Sequence, residues 1–268
     1  MFIVVLMVAL FVDGMSLQAQ DEQTLVVFAA ASLTNVLEEA ATGFEAANPG
    51  VDVRFNFAGS SDLVAQLSEG APADVFASAD IQQMQAATEV GRIPGEAVIF
   101  ARNRLALIVP VDNPARIIHL EDVAQDGVRL ILAAEGVPIR QYTNLLLERL
   151  AADPAYGEEF RQAVLSNVVS EEQNVRQVAA KVALGEADAG FVYATDVTPD
   201  IAGDVIVIPI PEAHNPVVTY PIAVTDDSAR PEVAQAFIDY LLSEDGQAVL
   251  VKWHFMTAHP PRCNRVGR

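Results

Sequence analysis

Residues 57–80 read FAGSSDLVAQLSEGAPADVFASAD, a strand end, a turn, a helix and a second strand in one short stretch. Phe57 closes a run in which Val51, Val53, Phe55 and Phe57 alternate with Asp52, Arg54 and Asn56, the period-two signature of a strand. Gly59-Ser60-Ser61 turns the chain into a helix carrying Leu63, Val64 and Leu67. Residues 74–78 (DVFAS) form the next strand and residues 81–89 the next helix. Two strands joined through a helix pair in parallel, and a parallel sheet is covered by helices on both faces.

The same alternation extends in both directions. Upstream, residues 25–29 (LVVFA) read as a buried parallel strand. Leu33, Val36, Leu37, Ala40, Ala41, Phe44 and Ala47 follow at helical spacing, with Ser32 at the N-cap position and Asn48-Pro49-Gly50 as the stop. Downstream, residues 105–109, 130–133, 189–192 and 205–208 read as strands, and 142–150 and 174–184 as helices. Residues 217–224 form a long strand whose Pro221 marks it as an edge or crossover strand. Residues 231–242 are a helix with Pro231 in its first turn. The fold class is α/β, built on mostly parallel sheet.

The chain has 268 residues, 51% of them apolar, enough for a sizeable core. It carries 16 Lys plus Arg against 36 Asp plus Glu, a formal charge of −20. That excludes nucleic acid as the partner, which needs a basic footprint. A small anion stays allowed, because local dipoles hold it even in an unfavourable distant field. The single cysteine, Cys263, supports no disulfide framework or zinc cluster. His119, His214, His254 and His259 are scattered and read as surface or core residues rather than a metal site.

Residues 2–12 (FIVVLMVALFV) are an apolar run too short to span a bilayer. They fit the core of a signal peptide, with cleavage after Ala19, although no basic segment precedes the run. The protein is therefore expected to be exported, to the periplasm or the outer face of the cell membrane. The basic, proline-containing stretch 257–268 reads as a disordered tail.

Two serines carry the strongest chemical signal. Ser32 and Ser60 each follow a strand and open a helix. The first N–H groups of a helix lack internal partners and sit at the positive end of its dipole. Each serine by itself is explained by ordinary N-capping. Together, in successive β-α units, they also describe an anion cradle that needs no cation. Neither serine lies in GxSxG, no histidine pairs with an acid in a recognisable pattern, and no P-loop or GxGxxG is present.

Six blocks resemble the molybdate-binding proteins of ABC importers, the ModA family. They are AAASLTNVL (29–37), the 57–80 stretch, ARNRLALIVP (101–110), VPIRQYT (137–143), NVRQVAAKVALGEADAGFVYATDV (174–197) and YPIAV (220–224). They run in order through nearly all of the chain after the leader. The resemblance implies a two-lobed periplasmic-binding-protein fold with the ligand between the lobes. The chain would cross between lobes near 102–107 and near 218–223. Lobe one would comprise 24–103 and 221–256, and lobe two 104–220.

It further implies that a bare tetrahedral oxyanion, molybdate or tungstate, is held by hydroxyl and backbone N–H groups. Carried over by position, these are Ser32, Ser60, the backbone of Ile139, the backbone N–H of Val175 and the hydroxyl of Tyr193. Read without the resemblance, Tyr193 is a core aromatic with a satisfied hydroxyl rather than a ligand donor. Molybdenum would enter only inside the oxyanion, four-coordinate, with no protein group on the metal and no cofactor. The partners implied are an ABC permease and its ATPase at the membrane, and the protein is expected to be a monomer and not an enzyme. A binding protein for sulfate or another tetrahedral oxyanion is the alternative. One departure stands out: Arg140 occupies a position where the family commonly has Gly. Its side chain either points to solvent or reaches the anion as a charged donor.

Overall fold

The computed structural model describes residues 23–258. The signal-peptide stretch 1–19, His259, Cys263 and the rest of the tail lie outside the described residues. The chain begins with β1 (Gln23–Ala30), a 3₁₀ turn (Ala31–Leu33), α1 (Thr34–Ala47), β2 (Val51–Ala58), α2 (Ser60–Ser68), β3 (Val75–Ala77), α3 (Ile81–Glu89) and β4 (Val98–Asn103). It continues with β5 (Leu105–Pro110), β6 (Leu130–Ala133), α4 (Pro138–Ala152), α5 (Gly157–Ser166), β7 (Val168–Glu172), α6 (Val175–Ala183), β8 (Ala189–Tyr193) and β9 (Val205–Ile208). It closes with β10 (Val218–Val224), α7 (Pro231–Leu242), α8 (Glu244–Lys252) and β11 (Met256–Thr257).

Two sheets result. The first has six strands in the order β11-β4-β10-β3-β1-β2, the second five in the order β7-β6-β8-β5-β9. β1 pairs in parallel with β2 and β3, and β6 in parallel with β7 and β8. Both sheets are nevertheless mixed: β10 runs against β3 and β4, and β5 against β8 and β9. The chain leaves the first sheet at Arg104, between β4 and β5. It returns between Ile208 and Val218, upstream of the stretch expected for that crossing, because β10 pairs with the first sheet from Val218 onward.

The alternation in β1 shows how sequence becomes packing. Leu25, Val27 and Ala29 pack with Leu37 and Phe44 of α1, while Phe28 faces Leu63 and Leu67 of α2 and Phe76 and Met84. Burying the strand on both faces explains its unbroken apolar run.

Several elements depart from expectation. β10 is an interior strand, not an edge. Pro221 is tolerated there because the pairing with β4 shifts register between Tyr220 and Pro221, where an N–H is dispensable. The Pro221 carbonyl still accepts from the Ser78 N–H at 2.9 Å. α5 buries only Val164 fully, and β7 is half exposed at a sheet edge, so neither carries a strong periodic signal. Thr257 pairs in β11, so ordered chain extends into the stretch read as tail.

Candidate functional site

Every parallel strand of both sheets points its carboxyl end toward one region between the lobes, where α/β proteins bind ligands. The residues that follow β1, β2, β3, β6, β7 and β8 enclose a small cavity of about 220 Å³, its mouth included. Ser32, Ser60, Ile139, Val175 and Tyr193 all line it. The remaining lining is Ala30, Ala31, Ala58, Gly59 and Ala79 from one lobe and Val137, Pro138 and Asn174 from the other. No charged side chain is among them.

Neither serine is an N-cap. Ser32 sits inside the 3₁₀ turn, and α1 starts after Leu33 with no side-chain cap. The Ser32 Oγ lies 3.3 Å from the Tyr220 hydroxyl, which lies 3.3 Å from the donating Asn103 Nδ2. Either hydroxyl of the Ser32–Tyr220 pair can donate, and with Tyr220 donating the Ser32 proton is left for the cavity. Ser60 is the first residue of α2, behind Gly59 as N-cap. Its Oγ accepts from the Ala79 N–H at 3.0 Å, so its proton too is free to donate inward. Both serines are almost fully buried.

Lobe two adds backbone donors by a different route. Pro138, the first residue of α4, has no N–H. The Arg140 N–H is taken by the Val137 carbonyl at 2.9 Å, which leaves Ile139 with the free first-turn donor. At α6, the Asn174 side chain accepts from the Gln177 N–H at 3.1 Å, and the N–H of Val175 at the first helical position has no partner within the helix. Asn174 itself was missed from the sequence as a lining residue, although an Asn just ahead of the apolar helical pattern is an N-cap signal.

Tyr193 ends β8 with its ring against Tyr220, centroids 5.8 Å apart. It is 1% exposed, and its hydroxyl has no hydrogen-bond partner among the described residues. The reading of Tyr193 as a core aromatic with a satisfied hydroxyl is therefore not met. Burial, reinforced by Tyr220, Tyr142, Asp80 and Asp196, pushes its pKa well above the ordinary tyrosine value, so the group stays a donor. A buried hydroxyl without an acceptor carries a desolvation cost that an anion in the cavity would remove.

Arg140 does neither of the things expected of it. It is 7% exposed, so it does not point to solvent, and it does not line the cavity. Its guanidinium is spent on Glu171 at 2.7 Å, Glu135 at 2.8 Å, the Ala133 carbonyl at 3.0 Å and Asn144 at 3.2 Å. The α4 backbone turns the side chain back over the end of β6. Two buried carboxylates stand near the site. Asp80 caps α3 by accepting from the Gln83 N–H at 2.7 Å, and burial pushes its pKa up to about 6. Asp196 is fully buried, and burial pushes its pKa up to about 6 against the pull of Arg176.

The lobes are closed on one another. Gln83 of α3 donates to the Gly136 carbonyl across the cleft at 2.9 Å. At Gly59 an added Cβ would stand 2.5 Å from the Gln173 carbonyl of the opposite lobe. Glycine is needed there for space, since its φ of −60° suits any residue. Among the described residues no helix is long and apolar enough to cross a membrane. No group of three or more His, Cys, Asp or Glu among them could hold a metal ion. His214 pairs with Asp153 at 2.9 Å, outside the cavity.

Comparison with known proteins agrees with this architecture. The family model described as bacterial extracellular solute-binding protein matches residues 25–256. The molybdate-binding protein ModA of Mycobacterium tuberculosis (strain H37Rv) is 36% identical over 231 residues, covering 86% of this chain and 84% of that protein. The substrate binding domain of a putative molybdenum ABC transporter from Clostridium difficile superposes with a TM-score of 0.64 at 26% identity, covering 87% of this chain and 98% of that one. The sulfate-binding protein SubI of Mycobacterium tuberculosis H37Rv shares the fold at a TM-score of 0.79 and 18% identity, over 89% and 88% of the two chains. These are solute carriers rather than enzymes, and the chain belongs with them, as a ModA-type member of the bacterial extracellular solute-binding protein family.

Proposed function

We propose that this protein captures molybdate, or the equally shaped tungstate, outside the cytoplasm and delivers it to an ABC importer. The observation that carries the reading is the donor-only cavity. Ser60 accepts from the Ala79 N–H and keeps its proton, Ser32 can donate while it accepts from Tyr220, Ile139 and Val175 offer free N–H groups, and Tyr193 holds a buried hydroxyl without an acceptor. A fully ionised tetrahedral dianion presents acceptors only and satisfies all five. A phosphate that keeps a proton would leave its own O–H unpaired, at a cost of about 1–3 kcal/mol. The ModA relative supports the same ligand.

In this reading the oxyanion binds through its oxygens, molybdenum stays four-coordinate, and no cofactor takes part. Donors from both lobes make the closed form the bound form, and that form is what a permease with its ATPase engages. The protein works as an exported monomer. Sulfate is the second reading: it too is donor-free, and SubI shares the fold. Calorimetric titration with molybdate, tungstate, sulfate and phosphate in parallel decides between them. Tight binding of the first two alone is expected. Binding of sulfate without molybdate would keep the site and overturn the ligand.

A further inference from the structure

Arg176 follows Val175 in α6 but does not line the cavity. Its Nη2 donates across the cleft to Asn35 Oδ1 at 2.9 Å and approaches the Ser32 carbonyl at 3.5 Å. Its Nε stands 3.1 Å from Oδ1 of Asp196 in its own lobe. The other oxygen of Asp196 accepts from the Tyr193 N–H at 3.0 Å. One guanidinium thus joins the turn that carries Ser32 to the turn that carries Tyr193.

We infer that Arg176 is a positioning residue: a latch that fastens the closed lobes and slows release of the captured oxyanion. The inference rests on the molybdate reading. Its two halves differ in kind. The pairing with Asp196 lies within lobe two and survives opening, keeping a buried carboxylate compensated. The bond to Asn35 spans the lobes and exists only when they are closed. A planar fork serves both partners at once, which a lysine ammonium cannot do with the same reach. The bound anion ties Ser32 to Val175 and Tyr193 from inside, and Arg176 ties the same segments from outside, so closure and capture reinforce each other.

Asn35 is the clean point of attack, since Asn35→Ala removes the shorter of the two cross-lobe contacts of Arg176 and leaves Asp196 its partner. Molybdate binding to wild type, Asn35→Ala, Arg176→Lys and the double variant is followed by titration and by stopped-flow release. Asn35→Ala is expected to weaken binding about tenfold, the size of one hydrogen bond to a charged group. The loss should appear as faster release, with the association rate and the unliganded melting temperature unchanged. Arg176→Lys keeps the countercharge and should match it, and the double variant should be no weaker than the weaker single one. A wild type that binds molybdate while Asn35→Ala equals it in affinity and release overturns the latch alone. Singles that are weakened but additive in the double variant overturn the coupling between Asn35 and Arg176. A wild type indifferent to molybdate overturns the oxyanion reading, and the latch as a capture device with it.

Discussion

Tyr193→Phe should weaken molybdate binding and leave the stability of the empty protein close to that of the wild type. The substitution keeps the ring, its packing on Tyr220 and its place at the end of β8, and removes only a hydroxyl that is buried without a partner. In the empty protein the lobes stand open and water reaches the hydroxyl, so its removal should move the melting temperature by less than about 2 °C. A hydrogen bond from the same hydroxyl to an anion contributes about 1.5–3 kcal/mol. At 1.4 kcal/mol per tenfold, molybdate affinity should fall by about 10- to 100-fold. Thermal unfolding without ligand and calorimetric titration with sodium molybdate measure the two effects on one preparation. A loss of affinity without a loss of stability is the test. If stability and affinity fall together, the hydroxyl holds the fold and is not a ligand donor; if affinity is unchanged, Tyr193 has no part in binding.

Gly59→Ala should fold normally and bind at least about tenfold more weakly, because the new methyl meets the Gln173 carbonyl of the facing lobe only on closure; unaltered affinity would show that the lobes close less tightly than the structure has them. Asp80→Asn keeps the capping oxygen and removes the charge. Because the folded pKa, about 6, lies above the ordinary 3.8, the stability linked to Asp80 is full below that ordinary value and is lost as pH rises through 6. The loss amounts to about 3 kcal/mol for a shift of about two units. Asp196 titrates in the same direction, so the informative quantity is wild type minus variant in urea unfolding at pH 4 and pH 7.5, and a difference independent of pH refutes the assignment. Arg140→Met should lower stability by about 1–3 kcal/mol, through the loss of the contacts to Glu171, Glu135 and Ala133, and leave molybdate affinity and its salt dependence unchanged. An affinity loss larger than threefold would put Arg140 back in the binding site.

Much of the architecture was legible because its causes are local. The alternation of Val51, Val53, Phe55 and Phe57, the apolar run of β1 and the helical spacing after Ser32 each state a period, and the period states the element. Where the local signal was weak it failed: α5 buries a single residue fully, and β7 is half exposed. Pro221 misled in the other direction, since its missing N–H excludes regular pairing but not a register shift inside a sheet.

The sequence by itself determined the β-α order, the helix starts with unclaimed N–H groups at Ser60 and after Asn174, and the absence of any basic footprint for nucleic acid; it placed the helix over 142–150 and missed its true start at Pro138. Only the tertiary structure decided what those groups do. The five expected ligand-binding residues come from segments as distant as Ser32 and Tyr193, and no local rule sets the distance between two sheets. The proton order at Ser32 depends on Tyr220 and Asn103, contributed by strands that pair only in the fold. Arg140 was open to two readings in sequence, and packing against Glu171 and Ala133 gave it a third. Periodicity and capping are short-range properties of the chain, whereas hydrogen-bond satisfaction, burial and pKa are set by whichever neighbours closure of the two lobes brings within reach.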